Sequence, residues 1–94
     1  MAYMLCRLKV EDYVKWKSAF DQAISIRKTA GSKGGYIFRN ADDANEVLLL
    51  LECDDLGKFR QFMQSPELRD RMQESGVVGP PELCFLEEAE RPSG

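Results

Sequence analysis

The sequence predicts one α+β domain ordered strand, helix, strand, strand, helix, strand. Three observations carry that expectation. Residues 3–10 alternate with a period of two and residues 46–53 are rich in Val and Leu, each is followed by a segment whose apolar residues recur every three or four positions, and Asn40–Asn45 joins two β-favouring runs with turn chemistry. Ninety-four residues suffice for one hydrophobic core and are too few for two. The folded domain is expected over residues 1–88, with a flexible tail over 89–94.

The first strand, Tyr3–Val10, places Met4, Cys6, Leu8 and Val10 on one face and Tyr3, Leu5, Arg7 and Lys9 on the other. Glu11 and Asp12 then offer carboxylates to a helix N-terminus, and Tyr13, Trp16, Phe20, Ala23 and Ile24 form a helical stripe. Arg27 and Lys28 suit the negative end of that helix, and Gly31 its left-handed cap. Ser32–Gly35 is expected as a loop.

Tyr36-Ile37-Phe38-Arg39 and Glu46–Cys53 are expected to pair as a hairpin. Asp54 or Asp55 caps the next helix, which carries Leu56, Phe59, Phe62 and Met63; Ser65-Pro66 opens a second helical piece with Leu68 and Met72, closed by Gly76. Val77-Val78-Gly79-Pro80-Pro81 cannot continue a helix and leads to the last strand, Glu82–Glu87.

Composition excludes several classes of function. A net charge of −3 with Lys and Arg scattered among carboxylates opposes a nucleic-acid partner. The longest apolar run, Val47–Leu51, is far short of the roughly 20 residues that span a bilayer. The N-terminal ten residues lack a signal-peptide pattern, so a cytoplasmic location is expected. Cys6, Cys53 and Cys84 are too far apart for a zinc site, the chain has no histidine, and all three are expected as buried free thiols. No metal is implied.

The sheet asks for a partner. Two helical segments cover only one of its faces, yet the third strand carries Val47, Leu49 and Leu51 on one side and Leu48 and Leu50 on the other, between Glu46 and Glu52. Removing Leu5, Leu48 and Leu50 from water contributes on the order of several kcal/mol, which favours a homodimer joined through the sheet faces.

The chain resembles the dimeric α/β-barrel superfamily, which contains antibiotic biosynthesis monooxygenase-like and cyclase-like proteins. The resemblance runs from Tyr3 to Glu87. It is carried by Asp12-Tyr13-Val14-Lys15-Trp16-Lys17, Arg39, Asn45-Glu46-Val47, Phe62-Met63-Gln64-Ser65-Pro66-Glu67-Leu68, and Gly76-Val77 leading to Pro81-Glu82. It implies a ferredoxin-like βαββαβ fold, a four-stranded antiparallel sheet with helices on one face, and a barrel formed by two subunits face to face. It also implies a small cavity between each sheet and its helices or loops. Family branches that depend on histidine do not fit this chain. The resemblance leaves open a cofactor-independent branch: a monooxygenase or cyclase acting on a small organic substrate that serves as its own electron source. A non-catalytic small-ligand-binding or regulatory module is the alternative, since no nucleophile or phosphate motif is present.

Arg39 and Glu52 are the candidate catalytic residues, and Arg7, Arg39, Tyr36 and Glu46 the candidate ligand contacts. A guanidinium at Arg39 or Arg7 could hold a carboxylate or enolate. Arg39 could equally pair with Glu46 or Glu52 across the hairpin. Desolvation of Glu46 or Glu52 would raise a carboxyl toward the general-base range. Tyr3, Tyr36 and Trp16 could orient a ring, and Trp16 could equally be a core residue.

Overall fold

The computed structural model describes residues 2–94. Its elements are β1 (Ala2–Val10), α1 (Tyr13–Gln22), α2 (Ile24–Thr29), β2 (Ser32–Asn40), β3 (Asp43–Cys53), α3 (Leu56–Met63), α4 (Pro66–Glu74) and β4 (Val77–Glu87). The strands form one antiparallel sheet in the order β2-β3-β1-β4. This is the ferredoxin-like arrangement, with all helices on one face.

Side-chain alternation decides which face the helices cover. Met4, Cys6, Leu8 and Val10 of β1 and Val47, Leu49, Leu51 and Cys53 of β3 are all buried. Phe59 of α3 is fully buried among them, and Trp16 of α1 nearly so. The caps follow the sequence: Asp12 accepts from the Val14 amide at 2.9 Å, Asp55 from the Lys58 amide at 3.2 Å, and Ser65 from the Leu68 amide at 3.2 Å. Gly31 ends α2 at φ +100°.

Four expectations need correction. The long first helix is two helices, broken at Ala23, whose amide shares the Ala19 and Phe20 carbonyls at 3.2 Å each. Ser32–Gly35 is not a loop but the start of β2, where the register shifts between Ser32 and Gly35. Gly35 makes this possible: a Cβ there would lie 1.9 Å from the Leu50 carbonyl oxygen, so only glycine lets β2 come this close to β3.

The last strand begins at Val77 rather than Glu82. Pro80 and Pro81 are tolerated because β4 is an edge strand, next to a register shift between Arg7 and Lys9. Finally, Cys6 and Cys53 are buried free thiols as expected, but Cys84 is exposed. It stands opposite Leu5, on the face without helices. Residues 88–94 lie outside any helix or strand. Among the described residues no helix is long and apolar enough to cross a membrane.

Candidate functional site

The two helix pairs leave space between them. A cavity of about 410 Å³ lies over the helix-covered face of the sheet, within the usual size range of small-molecule sites. Met4, Cys6, Leu8, Leu49 and Leu51 form its floor. Trp16 and Phe20 line it from α1, Phe59 and Phe62 from α3. These rings are paired, Trp16 with Phe20 at 5.1 Å and Phe59 with Phe62 at 5.5 Å between centroids, both within the range of favourable aromatic contact. Burial pushes the Cys6 thiol in the floor up to about 12, so it is protonated and apolar in character.

Polar groups enter this lining at few points. Arg27, from α2, is half-buried; its guanidinium carbon lies 3.6 Å from the centre of the Phe20 ring, and its Nη1 donates to the Phe20 carbonyl. That carbonyl is at the helix break, where it also accepts from the Ala23 amide at 3.2 Å, so the arginine is its second donor. Burial lowers the pKa of Arg27, with nearby Asp21 acting against it. Lys15, Arg71 and Glu74 are exposed lining residues, and Arg71 approaches Glu67 at 3.6 Å.

The residues singled out by sequence lie elsewhere. Arg7 and Glu46 are brought together on the open face, where Arg7 Nε donates to Glu46 Oε1 and Asn40 Nδ2 donates to Glu46 Oε2 at 2.9 Å. Glu46 is only 5% exposed, yet its carboxyl is held below the ordinary range by the Asn40 and Arg7 hydrogen bonds, which outweigh burial. Glu46 is therefore an ionised, doubly paired carboxylate, opposite to the raised value expected for a general base. Arg7 is in turn raised, chiefly by Glu46.

Arg39 does not share that face. Register pairs Ile37 with Leu49 and Arg39 with Val47, so both point to the helix side, whereas Tyr36 and Phe38 pair with Leu50 and Leu48 on the open side. Arg39 Nε donates to the Ala44 carbonyl at 3.0 Å and its guanidinium lies 4.1 Å from the Tyr13 ring centre. It pairs with neither Glu46 nor Glu52 among the described residues.

Glu52 is at the far end of β3, beside Lys33, Asp54, Glu87 and Glu88 around a second hollow, and its Oε1 is buried without a hydrogen-bond partner among the described residues. Arg39 and Glu52 thus form no joint site. Tyr36 is 61% exposed and stacks on Phe38 with centroids 5.7 Å apart.

The resemblance implied a cavity between sheet and helices; what sequence reading missed is Arg27 in its lining. One signal was present. Trp16, Phe20, Ala23 and Arg27 follow at spacings of four, three and four, so an arginine occupies the last place of an apolar stripe.

No protein-family model matches this sequence, and no curated protein does. Solved structures share its fold. A protein from Bordetella bronchiseptica, provisionally named an antibiotic biosynthesis monooxygenase, superposes with a TM-score of 0.75 at 14% identity, over 95% of this chain and 97% of that one. SnoaB, a cofactor-independent oxygenase from Streptomyces nogalater, gives 0.73 at 14% identity, over 96% and 94%. Rv0793 from Mycobacterium tuberculosis gives 0.67 at 13% identity, over 98% of each chain. These structures share the ferredoxin-like fold expected from the sequence.

Proposed function

We propose that this chain is a cofactor-independent monooxygenase for a small organic substrate, acting as a homodimer, with the helix-side cavity as its reaction chamber. The observation that carries the reading is the cavity itself: about 410 Å³, floored and walled by apolar side chains, in the fold of an oxygenase that needs no cofactor. Such a chamber suits a substrate that supplies its own electrons. A methylene flanked by activating groups loses a proton, the resulting carbanion reduces O₂, and the methylene becomes a carbonyl while the second oxygen atom leaves as water. The protein's part is to orient the carbanion and keep bulk water from quenching it.

The dimer rests on the other face of the sheet. Tyr36 and Phe38 are 61% and 52% exposed, and they adjoin half-buried Leu5, Leu48, Leu50 and Leu86 across four strands. A contiguous apolar face of this kind is uncommon on a monomer, and a second copy covers it in a two-fold arrangement.

The test is oxygen uptake with enolisable ketones and phenols small enough for the cavity. Protein-dependent uptake that survives dialysis against a chelator, and that Ala19→Phe abolishes by filling the cavity, supports the oxygenase. Binding of the same compounds without uptake would instead identify a non-catalytic ligand-binding module.

A further inference from the structure

We infer that the cavity takes an amphipathic monoanion, its apolar body between the aromatic walls and its oxyanion, a carboxylate or an enolate, on the guanidinium of Arg27. The inference rests on the cavity being the ligand site, and deepens that reading by naming the charge of the ligand.

Three observations carry it. Arg27 has no carboxylate within ion-pairing distance among the described residues, although it is half-buried. Half-burying a cation without a counter-ion is unfavourable, and a bound oxyanion removes that penalty. Second, Arg27 is held in place before any ligand arrives, by the Phe20 ring beneath it and the Phe20 carbonyl on Nη1. Its remaining N–H groups are therefore presented at little entropic cost.

Third, the charged residues that line the cavity are Lys15, Arg27 and Arg71 against the single carboxylate of Glu74, in a chain whose net charge is −3. An acidic protein that gathers cations around one cavity steers anions into it and turns cations away. A neutral apolar ligand would use the walls and leave the guanidinium unanswered. A dianion would meet only one half-buried cation.

The experiment compares 2-naphthoate with 2-naphthamide, which share size and shape and differ in charge. Binding is measured by calorimetry on the intact protein and located by the indole N–H resonance of Trp16, the sole tryptophan, which lines the cavity. The expected result is naphthoate at least about tenfold tighter than naphthamide, with the indole resonance shifted by both. Arg27→Gln should remove that preference and leave naphthamide unchanged, and Arg27→Lys should keep part of it.

Equal affinity of the two probes in the wild-type protein, with the indole shifted, would overturn the anion preference and leave the cavity standing as a ligand site. Binding of neither probe would overturn both readings. Equal weakening of both probes by Arg27→Gln would reduce the arginine to a packing residue.

Discussion

Arg27 is fastened to Phe20 twice: its Nη1 donates to the Phe20 carbonyl, and its guanidinium carbon lies 3.6 Å from the centre of the Phe20 ring. One side chain thereby ties α2 to α1 across the break at Ala23. Arg27→Met keeps the aliphatic stem and loses both ties. The expected cost is about 1–2 kcal/mol in urea unfolding, and a loss below about 0.3 kcal/mol would show that the break is held by backbone geometry alone.

Gly35→Ala tests the close approach of β2 to β3. The added methyl would sit 1.9 Å from the Leu50 carbonyl oxygen, at a φ of +153°, so either the bulge opens or the strands part. A loss of at least about 2 kcal/mol is expected, with the change in amide resonances concentrated in β2 and β3. An unchanged stability would mean that the bulge can re-register without penalty.

The Glu46 contacts give stability a defined pH dependence. Because Asn40 and Arg7 hold the carboxyl below its unfolded value, the folded state binds that proton less readily than the unfolded chain. This contribution is fully present above the ordinary glutamate range and is lost as pH falls through the lowered folded value. In Glu46→Gln, the acid limb of a pH titration of melting temperature should therefore flatten. Variant and wild type should differ most near neutrality and converge at the acid end; a constant difference down to that end would contradict the lowered value.

Assembly through the open face is tested by Leu50→Glu. Leu50 pairs with Leu5 and Tyr36 in the middle of the open apolar face, so a carboxylate there would bury a charge in the surface proposed to join two copies. Light scattering should report a dimer for the wild-type chain and a monomer for the variant, with little change in far-UV circular dichroism. A wild-type monomer at micromolar concentration would remove the basis of the dimer.

Strand faces were legible because β1 sets Met4, Cys6, Leu8 and Val10 against Arg7 and Lys9, and because Glu46 and Glu52, two-residue steps from Leu48 and Leu50, bracket the apolar run of β3. The short second strand was less so. Its glycines read as loop, and the face of Arg39 depends on a register that starts beyond a bulge, so the side chain fell opposite Glu46 and Glu52 rather than beside them. The cavity was implied by the resemblance and not by the residue pattern, for a different reason. It is the space left between two helix pairs, and the residues around it, Trp16 and Phe59 among them, carry the same spacing as a solid core. Only an arginine on that stripe marks the difference.

The two edges of the sheet carry one last consequence. Pro80 and Pro81 remove successive amide donors from β4, and the bulge before Tyr36 disturbs the pairing line of β2. Neither border offers a clean ladder on which another strand could grow. Copies of this chain that met broadside would therefore find each border interrupted as a template for a further strand.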